Sequence, residues 1–199
     1  IVPVEKKEKS RILAVVGSVN PNTKNQIEEL WLSQRTHNVF VQTRELLEGG
    51  TRREKEIERV TEEILAESSK NIVSTVVGDG IYPENRIDFT PYMEKYHCSM
   101  DEVTDRINSA FAEITYRIFK EETSFKGLYT SGGDITVAVC RKFQTAGLLL
   151  EDEVLPLAAY GQFLKGEFDG VHIITKGGSQ GESDAINRCI TYLKEKLYI

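Results

Sequence analysis

Short apolar runs alternate along this chain with longer stretches in which apolar residues recur at helical spacing. The first run, Arg11–Val16, reads RILAVV and is apolar at its last five positions. Continuous runs of this kind, rich in β-branched residues, are typical of parallel strands that are buried on both faces. Similar runs predict further strands at 38–43, 71–77, 125–130 and 171–175.

The stretches between these runs carry apolar residues every three or four positions, which predicts amphipathic helices. The expected helices cover about 23–35, 53–70, 101–122, 133–144 and 183–197. The clearest of them, 101–122, has an unbroken apolar stripe at Val103, Ile107, Phe111, Ile114 and Ile118.

Two regions depart from this alternation. The runs at 147–150 and 154–164 follow each other without an intervening helix, which predicts antiparallel strands near 147–165. The stretch 81–98 contains two prolines and is expected to be irregular. The whole pattern predicts an α/β fold with a mostly parallel, Rossmann-like sheet flanked by helices.

Composition and charge fit one globular domain and exclude some classes of partner. The chain has 199 residues, of which 40% are apolar and 28% charged, with a formal net charge of −6. Because it has no basic stripe, the sequence argues against a nucleic acid or an anionic membrane as the main partner. No apolar run approaches the ~18 residues that a membrane span needs.

The cysteines bear on compartment and metal binding. Cys98, Cys140 and Cys189 are odd in number and widely spaced, so they predict neither a disulfide framework nor a structural zinc site. This usage favours the reducing cytoplasm. His97 precedes Cys98, but nothing at ligand spacing supports that pair, and no metal ligands are predicted.

The first ten residues, IVPVEKKEKS, lack an initiating methionine and resemble a linker. We expect 1–10 to connect a missing N-terminal domain to a domain that spans 11–199. The alternative is that only a few residues have been trimmed.

A glycine-rich turn, SGGDIT at 131–136, follows the strand predicted at 125–130. Gly132 and Gly133 allow positive φ and the close approach of a phosphate. A helix that begins here offers free backbone N–H groups and the positive end of its dipole. Asp134 is expected to cap the helix, orient a ligand or hold Mg²⁺ through water, with Thr136 in the same turn. The alternative is a purely structural turn with an aspartate cap.

A second turn, KGGSQG at 176–181, follows the strand predicted at 171–175. Lys176 at the end of a parallel strand is suited to neutralise a phosphate, and the alternative is an exposed lysine beside a tight turn. Gly177 and Gly178 repeat the glycine pair of the first turn. At the end of the first strand, the Ser18 hydroxyl is either a ligand contact or a helix cap. Two glycine turns in one small domain predict a phosphorylated ligand, most plausibly a nucleotide.

Several motifs of other nucleotide-binding classes are absent from the sequence. It has no GxxxxGK[ST] run, which excludes a P-loop NTPase, and no catalytic loop of the protein-kinase type. Gly78-Asp79-Gly80 does not continue into a dinucleotide fingerprint. An NAD-linked oxidoreductase is therefore disfavoured.

The three loops, in this order, resemble the C-terminal, nucleotide-binding half of the four-carbon acid sugar kinase family. The resemblance covers about 11–197 and rests on Gly17-Ser18 with Thr23 and Gln26 beyond it, Gly132-Gly133-Asp134, and Lys176-Gly177-Gly178 with Gly181. It implies an ATP-dependent kinase acting on threonate, erythronate or 3-oxo-tetronate, with Mg²⁺ as the metal. It further implies ATP contacts from Ser18, Gly132, Gly133, Asp134 and Gly177 or Gly178.

Two positions depart from the family pattern. Ile135 stands where the family often has threonine, which leaves Thr136 as the candidate hydroxyl. Ser179 and Gln180 stand before the final glycine of the last turn, where an aromatic residue is common.

The resulting prediction is the ATP-binding domain of a sugar-acid kinase. The residues that bind the sugar-acid substrate and the general base are expected on the missing half, so no catalytic residue is named. The oligomeric state stays open, with a homodimer among the options. The alternative, kept open by Ile135, is a non-catalytic nucleotide-sensing or protein-interaction module on the same fold.

Overall fold

The structure, a computed structural model, describes residues 9–199 and contains one seven-stranded sheet. The strands are β1 (Arg11–Val16), β2 (Thr36–Val41), β3 (Val73–Gly78), β4 (Phe125–Ser131), β5 (Gly147–Leu155), β6 (Ala158–Leu164) and β7 (His172–Lys176). Their order in the sheet is β2-β3-β1-β4-β7-β6-β5. All neighbours from β2 to β7 pair in parallel, whereas β6 and β5 are antiparallel to their neighbours. The predicted α/β fold is confirmed, including its antiparallel strands.

Within residues 9–199, seven α-helices connect or flank the strands. They are α1 (Pro21–Ser33), α2 (Thr43–Glu48), α3 (Gly50–Ser68), α4 (Thr90–Tyr96), α5 (Met100–Glu121), α6 (Gly133–Lys142) and α7 (Ala185–Leu197). The stretch 81–98, expected to be irregular, contains the end of one 3₁₀ turn, a second 3₁₀ turn and α4. Helix α1 begins earlier than predicted because Asn20 caps it, its side-chain oxygen accepting the N–H of Asn22 at 2.8 Å.

Strand β1 lies at the centre of the fold, and its six residues are all buried. Leu13 and Val15 belong to the core cluster that includes residues of α3, α5 and α6. Ile12, Ala14 and Val16 belong to the cluster that includes residues of α1 and α7. Both faces of the strand are therefore covered by helices, which explains why its sequence is apolar without alternation.

Helix α5 shows the local signals that its stripe predicted. Ser99 and Glu102 form a capping box, in which the Ser99 Oγ accepts the N–H of Glu102 at 3.2 Å and the Glu102 carboxylate accepts the N–H of Ser99 at 2.7 Å. Phe111 and Ile114 of the stripe are buried in the core. The helix covers β1 on the face that it shares with α3 and α6.

Two predictions concern the ends of the chain and the membrane. Residues 1–8 of the expected linker lie outside the described residues, and the boundary at residue 11 coincides with the start of β1. Among residues 9–199, no helix is long and apolar enough to cross a membrane.

Candidate functional site

The three loops singled out from the sequence emerge side by side from one edge of the sheet. In the register of the central strands, Val16 pairs with Ser131, and Ser131 pairs with Lys176. These are the last residues of β1, β4 and β7. The loops that follow therefore start in one row at the carboxyl ends of adjacent parallel strands, where open α/β sheets bind ligands.

The first glycine turn faces open space. Gly132 has a φ of +106°, and its N–H donates to the carbonyl of Lys176 at 3.0 Å. Helix α6 begins at Gly133 without a side-chain cap, and Gly133 and Asp134 are exposed. A Cβ added at either glycine would meet no atom within 4 Å. The first backbone N–H groups of α6, which have no partner within the helix, can therefore meet a ligand here.

The next two residues of α6 face inward and fasten the helix to the sheet. The Thr136 Oγ1 lies 2.8 Å from the Thr130 Oγ1 and 2.7 Å from the Thr175 Oγ1, so it links α6 to β4 and β7. Ile135 is buried, and a Cβ added at Gly17 would lie 2.7 Å from its Cδ1. The isoleucine that stands here in place of the family's threonine therefore packs against the loop after β1. The absence of a side chain at Gly17 leaves space for it.

The last glycine turn packs directly on the Ser18 loop. A Cβ added at Gly178 would lie 2.8 Å from the Ser18 Oγ. That hydroxyl is 3.0 Å from the Thr23 Oγ1, and Thr23 in turn donates to the carbonyl of Gly178. Two of the three predicted loops are thus joined through one chain of hydroxyl groups.

Lys176 is almost completely buried and bonds to the turn that it begins. Its Nζ donates to the carbonyls of Gly177 at 2.7 Å and Gln180 at 2.6 Å. Burial lowers the pKa of Lys176 below its usual value. The lysine therefore places a positive charge beneath the glycine turn and holds two of its carbonyls in position.

Two side chains of α1 complete the support of this turn, and sequence reasoning assigned them no such role. Gln26 Nε2 donates to the carbonyls of Gln180 at 2.8 Å and Gly181 at 2.9 Å. Asn22 Nδ2 donates to the carbonyls of Ser179 at 3.1 Å and Gly181 at 2.9 Å. Gln26 formed part of the family resemblance, whereas Asn22 did not.

Metal binding by the protein alone has no support in the part of the chain that the structure describes. No group of three or more His, Cys, Asp or Glu side chains there is arranged to hold an ion. Asp134, exposed in the first turn of α6, is the carboxylate closest in sequence to the open N–H groups. This arrangement fits Mg²⁺, which typically takes one or two protein carboxylates together with phosphate oxygens and water.

A family model described as a nucleotide-binding C-terminal domain matches residues 13–186. The chain belongs to this family. The matched residues contain all three loops that emerge from this edge of the sheet.

Curated relatives include a D-erythronate kinase of Heliobacterium modesticaldum, which is 37% identical over 191 residues and is matched over 94% of this chain and 42% of its own length. A D-threonate kinase of Salmonella typhimurium is 25% identical over 192 residues, covering 96% of this chain and 44% of its own. The chain thus spans less than half the length of these relatives.

Solved structures share the fold. A Bordetella bronchiseptica protein, described as a domain of unknown function with bound citrate and as a domain-swapped dimer, superposes with a TM-score of 0.74 at 20% identity, over 94% of this chain and 41% of its own. A Haemophilus influenzae protein superposes with a TM-score of 0.69 at 14% identity, over 92% of this chain and 40% of its own.

Proposed function

We propose that this domain binds ATP and Mg²⁺ in the crevice between the loops after β1, β4 and β7, as part of a kinase for four-carbon acid sugars. The strongest support for this proposal is the strand register that places Val16, Ser131 and Lys176 side by side. This register brings the three loops with their glycines and hydroxyl groups to one edge of the sheet. The names of the relatives, a D-erythronate kinase and a D-threonate kinase, support the choice of reaction and substrate class. Threonate, erythronate and 3-oxo-tetronate are the candidate acceptors.

The phosphates would lie in front of Gly132 and Gly133. The uncapped N-terminus of α6 offers N–H donors and a positive dipole end there, and the glycines leave the approach open. On the opposite wall, Ser18 and the Gly177-Gly178 pair would contact the nucleotide. Lys176 would act through the charge that it places beneath the turn.

Asp134 would hold Mg²⁺ together with the phosphates and water. When bound, the ion neutralises charge on the phosphates during in-line transfer of the γ-phosphoryl group. Thr136 would position α6 rather than touch the ligand, since two threonines already engage its hydroxyl. Because catalysis of this kind depends mainly on positioning and charge neutralisation, a rigid crevice suits the reaction.

The acceptor acid and the general base would lie on an N-terminal domain that the matched relatives' extra length accommodates. We also propose cytoplasmic location, supported by three free cysteines at Cys98, Cys140 and Cys189. A homodimer is proposed by analogy with the swapped dimer of the Bordetella protein. The alternative function, a non-catalytic module, rested on Ile135, which stands where the family often has threonine. The burial of Ile135 against Gly17 accounts for this residue by packing.

Calorimetric titration of the chain with Mg²⁺ and ATP tests the site. Gly133→Val should weaken ATP binding at least tenfold, because the new side chain occupies the approach to the α6 N–H groups. Its circular dichroism should stay native, since a Cβ at Gly133 meets nothing within 4 Å. Gly147→Val is the matched control, because its Cβ also meets nothing and it begins β5, away from the crevice.

Unchanged ATP affinity in Gly133→Val would contradict the phosphate position. A second assay tests whether ATP and the acceptor bind to different domains. The chain alone should then show no kinase turnover with any tetronate. Clear turnover by these 199 residues would contradict the placement of the acceptor site on another domain.

A further inference from the structure

The last glycine turn is a long connection whose shape depends on side chains beneath it. It leads from the end of β7 at Lys176 to the start of α7 at Ala185, and the residues between them form no helix or strand. A backbone hydrogen bond from the N–H of Gln180 to the carbonyl of Gly177, 3.2 Å long, crosses the turn. Other bonds reach its carbonyl oxygens from side chains of α1 and from Lys176 itself. The side chains below the turn therefore help to set its shape.

Lys176 is a buried cation without a carboxylate partner. It is only 1% exposed, and two of its three ammonium N–H groups donate to the carbonyls of Gly177 and Gln180. The third N–H finds no acceptor among residues 9–199, and no Asp or Glu of this part of the chain forms an ion pair with the lysine. A buried charge without a counter-charge is costly, so the oxygen atoms around the ammonium must replace its water.

Two further buried oxygen atoms lie on the same side of the sheet as this ammonium. Gln26 Nε2 and Lys176 Nζ donate to the same carbonyl, that of Gln180, so the Gln26 amide lies next to the ammonium. The Gln26 Oε1 is buried and has no hydrogen-bond partner among the described residues. Ser131 pairs with Lys176 in the sheet, and its buried Oγ also lacks a partner there. The space under the turn thus offers more oxygen atoms than the ammonium uses.

This composition is typical of a site for a monovalent cation. Backbone carbonyl oxygens can replace the hydration shell of such an ion, and amide and hydroxyl oxygens are acceptors of the same kind. Here the carbonyls of Gly177 and Gln180 are already bonded to a cation. That cation is the end of a flexible four-carbon side chain, which is anchored at the last residue of β7. Lys176 therefore carries a cation to the underside of the turn.

The bonds of the ammonium bear on the contact between the last glycine turn and the Ser18 loop. Gly178 lies in sequence between Gly177 and Gln180, the two residues whose carbonyls the ammonium binds. Its own carbonyl accepts the Thr23 hydroxyl, and a Cβ added to it would lie 2.8 Å from the Ser18 Oγ. A turn that lost the bonds on both sides of Gly178 would no longer be held at this distance from Ser18.

From these observations we infer that Lys176 is a positioning residue, whose ammonium acts as a tethered monovalent cation that shapes the last glycine turn and holds Gly178 against the Ser18 loop. A lysine that serves only to contact phosphate would direct its N–H groups to the ligand, whereas those of Lys176 are directed to the turn. The consequence for ATP binding rests on the proposed function. The consequence for the turn itself needs no ligand.

Hydrogen exchange of the ligand-free chain tests the effect on the turn. Lys176→Met keeps the length of the side chain but removes its N–H groups. Backbone N–H groups in 177–182 and 18–23 should exchange about tenfold faster, because hydrogen bonds to a charged group are lost. Exchange in β1 and α5 should not change. Lys126→Met, at an exposed lysine of β4, is the matched control.

Chemical rescue tests whether the ammonium itself is responsible. Lys176→Ala lacks the last three carbons and the ammonium of lysine, and propylammonium has the same atoms. Lys176→Ala should weaken ATP binding about tenfold in calorimetric titration and exchange faster in the same two loops. Propylammonium chloride should reverse both effects. Tetramethylammonium chloride, with the same charge but no N–H, should reverse neither. Lys176→Met should not respond, because its own side chain fills the space.

Unchanged exchange in Lys176→Met would overturn the inference, and so would faster exchange throughout the fold, which a merely structural role predicts. A loss in Lys176→Ala that propylammonium does not reverse, or that tetramethylammonium reverses equally, would also overturn it. If Lys176→Ala does not fold by itself, it should fold in propylammonium chloride, and a chain that stays unfolded there contradicts the inference. A wild-type chain that binds no ATP would overturn the proposed function, while the exchange measurements would still decide the role of Lys176.

Discussion

Gly178→Ala tests whether the crevice depends on direct contact between the last glycine turn and the Ser18 loop. A Cβ at Gly178 would lie 2.8 Å from the Ser18 Oγ and 3.2 Å from the Ser18 Cβ, so the two loops must shift. The adjacent Gly177 provides a matched control. A Cβ there would lie 3.4 Å from the Gln180 Cγ, an ordinary contact, and its φ is not positive.

The size of the effect follows from the bonds that Ser18 makes. Its Oγ accepts the N–H of Asn20 at 3.2 Å and lies 3.0 Å from the Thr23 Oγ1. Moving the hydroxyl away from a new methyl group breaks both hydrogen bonds, each worth about 0.5–1.5 kcal/mol. Gly178→Ala should therefore lower the free energy of unfolding by about 1–3 kcal/mol. Gly177→Ala should leave it unchanged or raise it by up to ~1 kcal/mol, through reduced entropy of the unfolded chain.

Urea unfolding followed by the fluorescence of the single tryptophan, Trp31 on α1, measures both variants. Titration with ATP measures the second consequence, because Ser18 is one of the proposed ATP contacts and would be displaced. We expect Gly178→Ala to lose stability and ATP affinity together, and Gly177→Ala to keep its stability.

The decisive comparison places Gly178→Ala in a Ser18→Gly background. If the clash with Ser18 is the cause, the added destabilisation should largely disappear, since no side chain remains to be displaced. A cost that persists in that background, or an equal cost in Gly177→Ala, would refute the contact as the reason for Gly178.

Two further predictions concern other parts of the fold. Ser99→Ala removes the capping box of α5 and should lower the free energy of unfolding by about 1 kcal/mol in urea titrations; no change would mean that tertiary packing alone fixes the start of the helix. Burial lowers the pKa of His172 below its usual 6.5, so at lower pH the unfolded chain binds a proton that the folded chain rejects. Wild-type stability should therefore fall as pH drops below about 6.5, and His172→Gln should flatten this dependence; parallel pH profiles would contradict the assignment.

The arrangement of the three loops was predictable from sequence because it depends on a local pattern. An apolar run followed by a glycine turn and a helix marks the carboxyl end of a parallel strand, and these ends share one edge of the sheet. Gly17, Gly132 and Lys176 all follow this rule. The rule places the loops together but does not say how their side chains meet.

The contacts between the loops were not predictable, because they join residues far apart in sequence. Lys176 at a strand end fits an exposed cation as well as a buried one, and only the fold shows its carbonyl partners. From the sequence, Ile135 is a missing hydroxyl, whereas in the fold it is a packing contact with Gly17.

The glycines of the crevice meet two different physical requirements. Gly132 and Gly133 face open space, and Gly132 also has a positive φ that favours glycine, so a side chain at Gly133 would meet only what approaches from solution. A Cβ added at Gly17 or Gly178 would lie within 3 Å of a side-chain atom of another loop or helix, so these two glycines allow protein segments to pack together. Substitution at Gly133 should therefore reduce ligand binding without loss of stability, whereas substitution at Gly178 should reduce both, because only the second group determines the shape of the crevice itself.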